Sequence, residues 1–188
     1  MEQKLIFSKL KDYYDAMCKN AENFEDWLNI PLAKEALNLI KTEALEEDRE
    51  IAMDFCETMI DEDLVDPWTT PRLALSFIEH YHHLAGDTSK WEKLANDLRV
   101  LMDPNVSEAE KISVMKQHMS LVVDPIQFTQ KWEDVYEEVA KEYGEHYKGQ
   151  KPVRGMVHER WNYKKELLKR HGIDWRTPAV MNPRVRID

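Results

Sequence analysis

Apolar side chains recur every three or four residues along this chain, and this spacing constrains the fold more than any other feature. Such a stripe is typical of the buried face of an amphipathic helix. Near the N-terminus its members are Leu5, Ile6, Leu10, Tyr13, Tyr14 and Met17. No stretch competes with the alternating pattern of a strand, and five glycines are few for a protein built on tight hairpins. The sequence therefore predicts an all-α protein.

Short polar breaks divide this pattern into separate helices. Thr70 and Asp124 each precede a proline, which is typical of a helix cap followed by the first turn. Ser107 and Glu110 form a capping-box pattern, and Gly86 suits a left-handed helix end. The predicted helices cover residues 3–18, 31–45, 46–61 (with a possible join at 45), 71–85, a stretch from Thr88 or Ser89 to Leu101, 107–122, 125–147 and 156–171. We expect an irregular bundle of about six to eight amphipathic helices with an extended basic C-terminal arm.

Charge is distributed unevenly along the chain. Residues 1–147 contain 15 Lys and Arg against 32 Asp and Glu, whereas residues 148–188 contain 11 against 4. An asymmetry of this kind concerns partners more than fold. We therefore divide the chain into an acidic helical body, residues 1–149, and a basic C-terminal helix and arm, residues 150–188.

Two groups of side chains have the spacing of metal ligands. Glu79, His80, His82 and His83 include Glu-x-x-His and Glu-x-x-x-His pairs, both of which are possible ligand spacings on a helix. Helix geometry places Glu79 and His83 opposite the apolar stripe, so a surface histidine cluster is the simpler interpretation. An acidic ladder has the same explanation, since its members fall on the solvent face: Glu50, Asp54, Glu57 and Asp61.

The C-terminal arm carries the most informative pattern, because its basic residues are interleaved with aromatic ones. Arg and Trp side chains are common anchors at protein interfaces. The candidate partner-binding residues are Arg160, Trp161, Lys164, Lys165, Arg170, Trp175, Arg176, Arg184 and Arg186. Two alternatives remain open: the arm packs on its own body, or it binds nucleic acid through phosphate contacts and base stacking.

Recognisable catalytic patterns are missing from the sequence, which has no nucleophile elbow and no phosphate-binding loop. Cys18 and Cys56 are far apart, as expected of reduced thiols in the cytoplasm or an organelle matrix. No apolar run approaches the roughly 18 residues of a membrane span. We expect a non-enzymatic subunit or adaptor of a protein assembly, without a cofactor. The alternative is a helical enzyme or carrier that holds a metal or cofactor near His80.

Overall fold

The fold is entirely helical in the computed structural model, which describes residues 3–150, 153 and 155–186. These residues form nine α-helices and three short 3-10 helices, and none of them lies in a strand. The prediction of an all-α bundle is therefore confirmed. No described helix is both long enough and apolar enough to cross a lipid bilayer.

The chain divides into two compact units, residues 1–98 and 99–188. Unit 1 contains α1 (Gln3–Glu22), α2 (Asn29–Glu43), α3 (Arg49–Asp61) and α4 (Pro71–Ala85), and α5 (Glu92–Met102) runs across the boundary. Helices α1 and α2 pack together, as do α3 and α4. The core of unit 1 includes Met17, Ile40, Met59, Phe77 and Ile78, all of which are fully buried.

Unit 2 contains α6 (Glu108–Met115), α7 (Gln130–His146), α8 (Val157–Arg170) and α9 (Pro178–Met181). Its core joins α7 and α8 to the segment that follows α8, and the buried members are Trp132, Val139, Leu167, Leu168, Ile173 and Trp175. Packing therefore divides the chain at residue 98, whereas the charge changes sign near residue 148. Residues 1–98 hold 10 basic and 22 acidic side chains, and residues 99–188 hold 16 and 14, so the acidic excess lies in unit 1.

Several helix ends confirm the local predictions. Gly86 has a φ of +68° and donates its N–H to the His82 carbonyl oxygen, which ends α4 in the left-handed conformation. The Ser107 hydroxyl accepts the backbone N–H of Glu110 at 3.3 Å and caps α6. Pro71 occupies the first turn of α4, where its missing N–H costs nothing. An extended backbone at Ala44 and Leu45 separates α2 from α3.

Two other predicted boundaries were wrong. The helix expected from Thr88 or Ser89 begins at Glu92, because the Asp87 carboxylate binds the N–H and hydroxyl of Ser89 in a turn. The helix expected to reach Val122 ends at Met115.

The turn after Asp124 also differs from the prediction. Asp124 caps only a 3-10 helix, Pro125–Phe128, and α7 has its own cap because the Thr129 hydroxyl accepts the N–H of Trp132. The C-terminal arm contains the short helix α9, whose first residue is Pro178. Proline suits that position for the same reason as Pro71.

Candidate interaction surface of the C-terminal segment

Helix α8 is fixed on α7 by its apolar stripe. Leu167 and Leu168 are fully buried beside Trp132 and Val139. Of the basic residues of α8, Lys165, Lys169 and Arg170 lie nearer the surface. Arg160 and Lys164 instead contact aromatic rings of unit 2. The basic side chains of α8 are therefore held on a rigid element.

The segment after α8 packs inside unit 2. Gly172 has a φ of +71°, and Ile173 donates its N–H to the Leu168 carbonyl oxygen, so the chain turns back at the helix end. Ile173 and Trp175 are then buried. The indole N–H of Trp175 donates to the Gln127 side-chain oxygen at 2.9 Å, which satisfies two buried polar groups together.

Arg176 joins this segment to the start of the 3-10 helix at Asp124. The Asp124 carboxylate is 3% exposed and accepts the backbone N–H of Arg176 at 2.7 Å, its Nε at 3.1 Å and its Nη2 at 2.8 Å. Glu108 accepts Nη1 of the same guanidinium at 2.8 Å. Both carboxylates raise the pKa of Arg176 above its usual value, so the guanidinium stays charged.

Asn182 fastens the chain again beyond α9. Its side-chain oxygen accepts the N–H of Val122 at 3.0 Å, and its amide donates to the Val122 carbonyl oxygen at 2.8 Å. The same amide donates to the Pro178 carbonyl oxygen. Asn182 is itself buried. The segment is therefore held near its start by the bonds of Arg176 and near its end by those of Asn182.

The half-buried cations of α8 lie over aromatic rings. Lys164 Nζ is 5.5 Å from the Trp132 ring centroid, 4.9 Å from that of Tyr136 and 5.5 Å from that of Trp175. The Arg160 guanidinium lies 4.6 Å from the Tyr147 ring and donates to the Gln150 carbonyl oxygen. These distances are in the range of cation–π attraction.

The predicted partner-binding residues therefore fall into two groups. Those that face the interior of unit 2 are Arg160, Trp161, Lys164, Trp175 and Arg176. Those nearer the surface are Lys165, Arg170, Arg184 and Arg186, and the exposed Lys169 lies one turn after Lys165. Arg170 forms an exposed ion pair with Glu142 at 2.6 Å.

The four candidate metal ligands on α4 have different surroundings and do not form one group. His82 donates from Nε2 to the Lys90 carbonyl oxygen, and Glu79 is exposed. The rings of His80 and His83 lie 6.1 Å apart. Among the described residues no group of three or more His, Cys, Asp or Glu is placed to hold a metal ion.

His80 has an unusual environment for a histidine. Its Nε2 is buried without a hydrogen-bond partner in the part of the chain that the structure describes. Burial lowers the pKa of His80 below its usual value, and the nearby charges of Lys41 and His83 lower it further. A neutral imidazole is therefore favoured in the folded unit.

The acidic ladder lies at or near the surface of α3, as its spacing predicts. Two of its carboxylates, Glu57 and Asp61, pair with Lys90, which also lies 4.3 Å from the Trp91 ring. Sequence inspection gave no indication of Lys90, because its partners are 29 and 33 residues away.

The same limit applies to the groups that hold the C-terminal segment. Asp124 was recognisable as a cap, but its bond to Arg176 spans 52 residues. Gln127 and Asn182 have no distinguishing local pattern, and their partners are 48 and 60 residues away. Their roles follow only from the packing of unit 2.

Two open grooves lie beside α1 in unit 1. One, of about 610 Å³, is lined by α1 and α2 and carries Asp12, Glu35 and the ion pair between Lys9 and Glu43. The other, of about 220 Å³, is lined by α1 and α3 and includes the exposed Phe7. Comparison of the chain with protein-family models, curated proteins and solved structures gives no significant match.

Proposed function

We propose that the protein is a non-enzymatic interaction protein, a subunit or adaptor of a larger assembly, whose C-terminal basic surface binds an acidic protein partner. The observation that supports this proposal most directly is the way the C-terminal segment is held. Its buried residues fasten it to unit 2, while Lys165, Lys169 and Arg184 lie at or near the surface. A basic surface on a fixed backbone loses little conformational entropy on binding.

The partner is an acidic protein surface rather than a nucleic acid. Base stacking needs accessible aromatic rings, and Trp175 is buried while Trp161 is partly buried in the core of unit 2. Without accessible rings for stacking, the surface would recognise its partner through charge. Complementary charge at an interface accelerates association and selects partners, and the acidic excess of unit 1 disfavours a polyanion elsewhere on the chain.

We further propose that the protein acts inside the cell, in the cytoplasm or an organelle matrix. Two free thiols support this compartment, since Cys56 is buried and Cys18 is partly buried, with no disulfide between them. Burial raises the pKa of the Cys56 thiol to about 12, which keeps it protonated and unreactive.

The test is native mass spectrometry of the full chain purified gently from its source. We expect a mass that includes other polypeptides in fixed ratio. A triple variant that replaces Lys165, Lys169 and Arg184 by Glu should lose these polypeptides, because its surface would repel an acidic partner. Deletion of residues 173–188 is unsuitable, since it removes Ile173 and Trp175 from the core.

A matched control changes the same net charge at exposed lysines elsewhere. The control residues, all replaced by Glu, are Lys19, Lys116 and Lys141. The control protein should keep its partner. A bare chain in the native spectrum, or equal loss of the partner from both triple variants, would contradict the proposed surface.

A further inference from the structure

Three aromatic rings of unit 2 surround the ammonium group of Lys164. Trp132 and Tyr136 are stacked with centroids 5.0 Å apart, and Trp175 is tilted against Trp132 at 6.5 Å. Trp132 is 1% exposed and Trp175 is 3% exposed, whereas Lys164 and Tyr136 are partly exposed. The lysine side chain therefore covers aromatic rings that can attract a cation.

Among the described residues, the interactions of the Lys164 ammonium group are with these three rings rather than with a carboxylate. Within the part of the chain that the structure describes, Lys164 forms no ion pair, and its contacts are those with the three rings. Most surface lysines of a helix reach water or a carboxylate. A lysine ammonium is compact and strongly hydrated, so an aromatic surrounding compensates only part of the hydration that it loses.

The distances suit a larger cation than lysine. A methyl carbon lies about 1.5 Å from its nitrogen, and carbon atoms pack best about 3.5–4.0 Å apart. A quaternary nitrogen with one methyl group pointing straight at a ring therefore lies about 5.0–5.5 Å from that ring. The Lys164 nitrogen lies 4.9–5.5 Å from the three centroids, which is that spacing.

We propose that Trp132, Tyr136 and Trp175 form a cage for a quaternary ammonium group and that Lys164 occupies this cage as an internal substitute. A quaternary ammonium ion has no N–H donors and is held by aromatic cages through cation–π attraction. When it enters, the lysine side chain leaves and regains its rotamer freedom. This site is separate from the basic surface of the proposed function, and either can exist without the other.

The first experiment is a titration of the full chain with tetramethylammonium chloride, followed by NMR of the indole N–H resonances. Lys164→Ala should give saturable shifts of the Trp132 and Trp175 resonances. We expect it to bind at least tenfold more tightly than the unsubstituted protein, because no internal cation competes. Lys165→Ala is the matched control and should behave as the unsubstituted protein. Sodium chloride at equal ionic strength should give no saturable shift.

A second measurement avoids dependence on the folding of a variant. Reductive methylation of the unsubstituted protein with isotope-labelled formaldehyde converts its lysines to dimethylammonium groups. Two labelled resonances should show upfield ring-current shifts, because Lys90 also lies 4.3 Å from the Trp91 ring. The resonance that belongs to Lys164 is the one that disappears in Lys164→Arg. Absence of an upfield-shifted resonance that is lost in Lys164→Arg, or no saturable response of a folded Lys164→Ala protein, would overturn the cage.

Two further titrations of Lys164→Ala distinguish the source of the ligand. Choline represents a small molecule, and a short peptide with a central trimethyllysine represents a modified protein. Tighter binding of choline assigns the cage to a metabolite, whereas tighter binding of the peptide assigns it to a modified protein. Failure of both, with tetramethylammonium also silent, removes the proposal.

Discussion

Replacement of Arg176 by Ala should destabilise unit 2 much more than an ordinary surface substitution. The variant loses the bonds from Nε and Nη2 to Asp124 and the bond from Nη1 to Glu108. The backbone N–H of residue 176 remains, so the Asp124 carboxylate keeps that donor and the N–H of Ile126. The buried carboxylate therefore loses its counter-ion but not all its hydrogen bonds.

The magnitude follows from the unequal exposure of the two partners. Removal of one member of a fully buried ion pair costs about 3–5 kcal/mol, and an exposed pair contributes about 0–1 kcal/mol. The Asp124 side chain is 3% exposed and that of Arg176 is 38% exposed, so solvent screens one side of the pair. We expect a loss of about 2–3 kcal/mol, consistent with charge-assisted hydrogen bonds of about 1.5–3 kcal/mol.

Arg170→Ala is the matched control in the same unit. Its ion pair with Glu142 is as short, at 2.6 Å, but both side chains are largely exposed, at 58% and 45%. We expect a loss of at most about 1 kcal/mol. Urea unfolding of both variants gives the free energies, and hydrogen exchange of peptides from residues 122–130 and 173–182 assigns the loss to unit 2. Equal losses in the two variants would refute the argument from burial.

Two further changes test other parts of the molecule. His80 has a pKa below its usual value, so the unfolded chain binds more protons below about pH 6.5 and the stability of unit 1 should fall as the pH decreases through that value. His80→Gln should reduce this slope in urea titrations at several pH values, and an unchanged slope would exclude His80 as its source. Trp175→Phe should cost about 0.5–1.5 kcal/mol more than Trp132→Phe in urea titrations, because only Trp175 loses a hydrogen bond. Its indole N–H donates to Gln127, whereas that of Trp132 has no hydrogen-bond partner among the described residues. Equal costs would mean that this bond contributes nothing.

Helix ends were largely predictable because caps act within a few residues. Gly86 and Ser107 were identified from the sequence as helix ends, and each caps its helix as expected. At Ser107 the cap is the bond from the Glu110 N–H to the serine hydroxyl. The failures also have local causes that compete with a cap. Asp87 binds Ser89 and delays α5, and Trp91 adopts a φ of +58° directly before the helix begins. Turn chemistry of this kind outweighs the apolar spacing that follows it.

The burial of the C-terminal segment was less evident, because basic composition suggests an exposed chain. Its sequence nevertheless contains a signal of another type. Ile173, Trp175 and Thr177 are buried, whereas Asp174 is exposed and Arg176 is intermediate. This alternation is the pattern of an extended segment with one face against a core. The pattern is short, and the polar groups of Trp175 and Arg176 find their partners far away in the sequence, at Gln127, Asp124 and Glu108.

Basic residues in this unit lie in two different environments, and neighbouring positions illustrate the difference. Lys164 lies against three aromatic rings, whereas Lys165, the next residue along α8, has no such contact with the aromatic rings of the described residues. Successive residues of a helix point about 100° apart, so one turn can present a cation to the core and another to a partner. Charge counted along the sequence cannot separate these environments. The pair of variants Lys164→Ala and Lys165→Glu can, because the first should change the response of the cage and the second should change only the interaction surface.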